Sequence, residues 1–155
     1  MKNITIQKFY IVGISVRTTN QNSQAAIEIE ALWVRFWGED IQNKISNKTS
    51  DEIYAVYTDY ESDFTGYYTT IIGMPVDSLK NIPDGFVGIT IETDKYEKFV
   101  SKGKMPETVV KTWLEIWADE DLNSRRAYNA DFTAHGKKYY NGDSAEVETF
   151  ISVKK

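Results

Sequence analysis

The sequence predicts an α+β protein: a strand-helix-strand-strand module written twice, with mostly antiparallel sheet, two main helices and a central cleft. Three observations carry this. Trp33 and Trp37 form one pair and Trp113 and Trp117 a second, eighty positions further on. Residues four apart are neighbours on a helix surface, so each pair makes an aromatic stripe along one helix. Strand-like segments flank the two stripes in the same order. Residues 77–84, short, polar and holding Pro83, divide a single domain (1–155) into repeat one, about 1–78, and repeat two, about 84–155.

Residues 4–16 are rich in Ile, Tyr and Val and read as the first strand, which the polar stretch 18–23 ends. Ser23 suits a helix N-cap, and Ala25, Ile29, Leu32, Trp33 and Phe36 follow at helical spacing, giving a helix to about residue 44. A polar loop over 44–52 leads to a strand at 53–60. A turn at 61–66 then leads to a hairpin partner at 67–76, whose Gly73 and Pro75 suggest a bulge or a sheet edge.

The second repeat opens with a strand at 86–93. Residues 96–104 lead into a helix with Pro106 in its first turn and Val109, Trp113, Ile116 and Trp117 on its apolar face. Strands at 127–135 and 146–153 follow, joined by a loop with the turn signal Asn141-Gly142. Helical phase also permits a repeat shift of eighty-four, which overlays Leu32-Trp33 on Ile116-Trp117. A single helix on three strands covers one face, so the two units must pair to complete a core.

Composition bounds the function. With 18 basic and 23 acidic residues the net charge is -5, which opposes direct binding to nucleic acid or anionic lipid. There is no cysteine, so disulfides and thiolate metal sites are excluded. No apolar run reaches the length of a membrane span and the first residues carry no apolar leader core, so a cytoplasmic location is the expectation.

The succession Leu32-Trp33 with Phe36, residues 53–60 (Ile-Tyr-Ala-Val-Tyr-Thr-Asp-Tyr), 68–73 (Tyr-Thr-Thr-Ile-Ile-Gly), 113–117 (Trp-Leu-Glu-Ile-Trp) and Asp131-Phe132 resembles the GyrI-like effector-binding family. That family includes the ligand-binding domains of AraC-type and MerR-type multidrug regulators and stand-alone bacterial proteins. The resemblance covers nearly the whole chain. It implies a duplicated strand-helix-strand-strand fold with a hydrophobic pocket between the halves, binding small lipophilic or cationic molecules; some relatives hydrolyse reactive natural products. In many relatives the strand at Asp131-Phe132 continues with a glutamate, the acid attributed with cation recognition or catalysis, and two residues later an aromatic. Here those positions are Thr133 and His135. A threonine hydroxyl offers one modest hydrogen bond where a buried carboxylate would attract a cation strongly.

The candidate ligand walls are Trp33, Trp37, Tyr57, Tyr68, Trp113 and Trp117, with Phe132, Thr133 and His135 on the strand of the second repeat. Helix aromatics facing a sheet are also ordinary core, and Tyr57 and Tyr68 also suit a half-buried cross-strand pair. Glu61 is a possible acid, because Asp59-Tyr60-Glu61 parallels Asp131-Phe132-Thr133. Glu115 falls off the tryptophan face. His135 is the only histidine. Four strand residues of about 3.3 Å each put it about 13 Å from Asp131, too far for a direct bond. No catalytic residue is therefore assigned. Asp59, Glu61 and Asp63 alternate as calcium ligands would, but Phe64 and Thr70 stand where the calcium-loop pattern needs Gly and Glu, so no metal and no cofactor is expected.

The reading is a stand-alone protein, monomer or weak dimer, that holds a lipophilic, aromatic or cationic molecule between its halves. The alternatives are a hydrolase of reactive small molecules, or a module with a protein partner, as in the family's gyrase-inhibiting namesake. Lys154 and Lys155 would discourage pairing at an exposed sheet edge.

Overall fold

The computed structural model describes residues 3–154. The element order is β1 Asn3–Ile6, β2 Phe9–Thr19, α1 Gln24–Gly38, α2 Ile41–Lys44, β3 Ile53–Thr58 and β4 Tyr67–Val76, then β5 Val87–Ile91, β6 Asp94–Gly103, α3 Glu107–Ala118, α4 Glu120–Arg125, β7 Ala130–His135 and β8 Ala145–Ser152. All strand pairs are antiparallel, in one sheet of order β1-β6-β8-β7-β3-β4-β2-β5.

That order curls the sheet on itself. β1 ends the order on one side and β2 stands next to its other end, yet Gln7 and Lys8 alone separate them, and so short a link spans only about 10 Å. β5 and β6 stand in the same relation across Glu92 and Thr93. The pairs Asn3↔Glu97 and Phe9↔Ile91 keep one register, so residues 3–19 form one interrupted strand that runs antiparallel to a second over 87–103. Thus the segment over 96–104, expected only as a lead into a helix, is strand as far as Gly103. The long strand of repeat two starts at 87 and is the counterpart of the first strand.

Alternation then sorts the side chains into two layers, since successive strand residues point to opposite faces. Ile11, Val56, Ile71, Tyr96, Phe132 and Phe150 fill the face that all parts of the curled sheet share. Phe132 stacks on Phe150 at 4.8 Å and meets Tyr96 and Phe9 edge-on. On the other face Leu32 and Phe36 of α1 pack on Val12, Ile14, Ile53 and Ile72. Ile116 of α3 and Leu122 of α4 pack on Ile151 and Val153. Leu32 and Ile116 are both buried, with Trp33 and Trp117 half-buried beside them, so burial selects the shift of eighty-four.

Several local expectations are corrected. Ser23 stands at the N-cap position of α1 but its hydroxyl makes no capping bond, because Asn22 and Ser23 adopt positive φ of 55° and 59°. The first helix does not run unbroken to residue 44: Asp40, at φ 55°, breaks it and α2 restarts at Ile41. Gly73 marks neither a bulge nor an edge. β4 lies between β2 and β3 in an unbroken register, and Gly73 faces Gly13 where the strands touch. A Cβ built on Gly13 would come 2.0 Å from the Ile72 carbonyl oxygen, and one on Gly73 2.3 Å from that of Val12. The loop at Asn141-Gly142 is longer than a tight hairpin and holds two short 3-10 turns, Lys137–Tyr140 and Gly142–Ser144. Lys154 follows β8, an interior strand, and so does not guard an edge; Lys155 lies outside the described residues.

Candidate ligand cavity

α1 packs over β2 and β4, α3 over β6, and the central β3–β7 pair runs between them. The helices flank a cavity of about 800 Å³ with this strand pair among its walls. A void of this size is no packing defect, since protein interiors hold few gaps larger than a water molecule.

Trp33 and Trp37 reach it from α1, Trp113 and Trp117 from α3, and Tyr57 and Tyr68 from β3 and β4. Tyr57 meets Trp113 edge-on at 5.1 Å, and Trp113 meets Trp117 at 6.2 Å. On the other wall Trp33 stacks with Trp37 at 6.3 Å and meets His135 at 5.1 Å. Trp37 remains 41% exposed, a large apolar ring at the rim.

Thr133 and His135 also line the cavity, being an even number of residues apart on β7. Phe132, expected beside them as a wall, points the opposite way into the aromatic core; one strand face cannot present both Phe132 and Thr133. Glu61 is no counterpart of Thr133 either. The sheet sets Thr133 opposite Ala55, whereas Glu61 lies beyond β3, exposed, its backbone N–H closing a turn onto Tyr67. Glu115 is exposed.

Sequence reasoning missed the buried cation beside the cavity. Arg126, 1% exposed, follows α4 and lines the cavity. Its Nη2 donates to Asp131 Oδ2 at 2.7 Å, and its guanidinium lies 4.3 Å from the Tyr128 ring centre and 5.9 Å from that of Tyr60. Asp131, fully buried, also accepts from the Tyr60 hydroxyl at 2.6 Å and from the backbone N–H and hydroxyl of Ser152 at 2.7 and 3.0 Å. Four donors saturate a carboxylate. Arg126 Nε and Nη1 have no hydrogen-bond partner. A signal existed in the sequence: an arginine five residues before an acid that already matched a motif.

At the other end of the row the Thr133 hydroxyl and His135 Nε2 lie 3.0 Å apart, and His135 Nδ1 has no partner. Burial pushes His135 down to about 4, so it is neutral near pH 7. Burial also raises Tyr57 to about 12, against the smaller effect of the Thr133 hydroxyl. Asn20 bridges β2 to the turn below, accepting from the Tyr68 hydroxyl at 2.6 Å and donating to the Phe64 carbonyl at 2.9 Å. Phe64 in turn stacks on Trp117 at 6.1 Å.

A duplicated α+β module curled around a shared core, with an aromatic cavity between α1 and α3, defines a GyrI-like effector-binding fold. The chain belongs to the Cass2 family of integron-associated effector binding proteins, whose model matches residues 4–153. Over 146 residues it is 30% identical to YobU of Bacillus subtilis (strain 168), described as a candidate transcriptional regulator, spanning 92% of this chain and 91% of that protein. An integron cassette protein from the mobile metagenome of Vibrio cholerae, solved by crystallography, superposes with TM-score 0.77 at 30% identity, covering 99% of this chain and 95% of the other. The structure of SAV2435 bound to tetraphenylphosphonium superposes with TM-score 0.83 over 99% of this chain and 93% of that one; at 18% identity this likeness is one of fold. Among the described residues no helix is long and apolar enough to cross a membrane.

Proposed function

We propose that the protein binds a small aromatic molecule between α1 and α3, as a cytoplasmic sequestering or effector-sensing module. The observation that carries this is the 800 Å³ cavity lined by all four tryptophans. Each indole left unpacked forfeits about 25 cal/mol for every Å² of apolar surface kept in water, so four around one void form a surface suited to an occupant. Membership of an effector-binding family points the same way. The likeness to YobU supports a link to transcriptional control. With a net charge of -5 such control would pass through a partner rather than through direct contact with DNA. A hydrolytic reading gains less: the carboxylate on the cavity wall, Glu30, is exposed at the rim, and Asp131 is saturated.

The test is a titration of the purified protein with a panel of aromatic compounds, following tryptophan fluorescence and melting temperature together. Saturable quenching with a raised melting temperature is expected, because a ligand that binds only the folded state stabilises it by about 2.7 kcal/mol at a hundred times its Kd. Trp113→Ala should weaken binding about tenfold, the loss of one buried aromatic contact. A flat response across the panel would overturn the proposal.

A further inference from the structure

The tyrosines on the strands of the cavity differ in whether their hydroxyls are already engaged. Tyr68 of β4 donates to Asn20 at 2.6 Å, and Tyr60, just beyond β3, donates to Asp131 at 2.6 Å. Tyr57 lies on β3 between β4 and β7, its ring edge-on to Trp113 at 5.1 Å and to Tyr68 at 6.2 Å. Its hydroxyl makes no well-formed hydrogen bond among the described residues. The Thr133 hydroxyl is near enough to offset part of the effect of burial on Tyr57, but its short contact, at 3.0 Å, is with His135 Nε2. Polar side-chain atoms that have neither a partner nor open surface are confined to Thr70, Glu97, Arg126, His135 and Thr149. The Tyr57 oxygen is not among them, so it keeps accessible surface, and Tyr57 itself is half-buried on the cavity wall.

The indoles repeat this pattern. Nε1 of Trp33, Trp113 and Trp117 has no hydrogen-bond partner among the described residues and is not sealed either. An indole N–H only donates, and a protonated tyrosine hydroxyl carries one donor. Burial raises Tyr57 to about 12, so it stays protonated near pH 7. Glu30, the carboxylate of the wall, offers acceptors only at the exposed rim. The inner wall is therefore rich in free donors and poor in free acceptors. A hydrocarbon placed there strips water from these donors and leaves them unpaired, whereas an acceptor oxygen restores the bond.

We propose that the Tyr57 hydroxyl is the hydrogen-bonding anchor of the cavity and selects aromatic molecules that carry a carbonyl oxygen, which accepts from it while the tryptophans hold the rings. This rests on the cavity being a ligand site.

The experiment sets Tyr57→Phe, which keeps the ring and its contacts, against two probes of one shape: benzophenone, and 1,1-diphenylethylene, in which a methylene group replaces the carbonyl oxygen. Dissociation constants of both probes on both proteins, by fluorescence titration, form a cycle in which the unequal hydration of the probes cancels. The substitution should weaken benzophenone about fivefold more than the alkene, the net contribution of one neutral hydrogen bond. The carbonyl stretching band of bound, carbon-13-labelled benzophenone should lie below its position in cyclohexane on the wild-type protein and move back towards it on Tyr57→Phe, because an accepted hydrogen bond weakens the C=O bond. The melting temperature of the ligand-free variant reports whether it is folded. Equal losses for the two probes, or a wild-type band at its cyclohexane position, overturn the anchor and leave the cavity reading standing. If neither probe binds the wild-type protein while other aromatic compounds do, the carbonyl preference is overturned; if no aromatic compound binds, the cavity reading itself has failed and takes the inference with it.

Discussion

His135 is the residue in which burial has the most direct consequence for behaviour in solution. Its ring sits between Trp33 and Tyr139, at 5.1 and 4.9 Å, and shares one nitrogen with the Thr133 hydroxyl. The folded protein holds it neutral down to about pH 4, against an ordinary value of 6.5. Between these limits the unfolded chain binds the extra proton, so stability is lost as the pH falls from 6.5 towards 4 and regained as it rises. The loss approaches roughly 3 kcal/mol at the acid end. Denaturant unfolding across this range should therefore show a slope that His135→Gln flattens, because the amide has nothing to titrate. If the variant keeps the whole slope, the imidazole is not its source.

At the level of the element, the tightest constraint lies where β2 crosses β4. Gly13 and Gly73 face one another, and neither has room for a methyl group because the partner's backbone occupies that space. Backbone in a ladder between two neighbours cannot swing aside as a flexible side chain can. Gly13→Ala should cost about 3 kcal/mol, at the upper end of overpacking costs. Gly38→Ala is the contrast: at the end of α1 a Cβ there meets nothing within 4 Å, and the substitution should stabilise by about 0.5 kcal/mol. Chemical denaturation of the two variants separates crowding from the general effect of replacing glycine.

For the whole molecule, the two repeats are joined twice, by β3 against β7 and by residues 3–19 against 87–103. Each repeat alone would expose both of these pairing edges together with half of the aromatic core. Fragments 1–78 and 84–155 should each be unfolded by circular dichroism and should regain native spectra on mixing, since association restores the buried surface. A folded isolated fragment would show that each repeat carries a self-sufficient core.

Most of the elements and their duplication were legible in the sequence, the strand over Asp94–Gly103 being the exception. Helical spacing of Leu32, Trp33 and Phe36 and of Trp113, Ile116 and Trp117, with apolar strands between, follows from local periodicity, which neighbouring residues alone set. The sequence also nominated Trp33, Trp37, Tyr57, Tyr68, Trp113, Trp117, Thr133 and His135 as ligand walls, and these residues line one cavity. What it could not supply was the facing of single residues and the meeting of distant ones. Phe132 and Thr133 are adjacent in sequence and lie in different layers, because strand period assigns alternate residues to opposite faces while only the packing decides which face lies inward. The motif parallel that nominated Glu61 failed because the pairing register of β3 and β7, a long-range choice, does not align it with Thr133. Arg126, Tyr60, Asp131 and Ser152 come together from three separated segments, a meeting no local pattern records. Only the packing pairs the buried Asp131 with Arg126, because the fold alone sets these side chains, and the Tyr60 and Ser152 groups that complete their bonds, face to face.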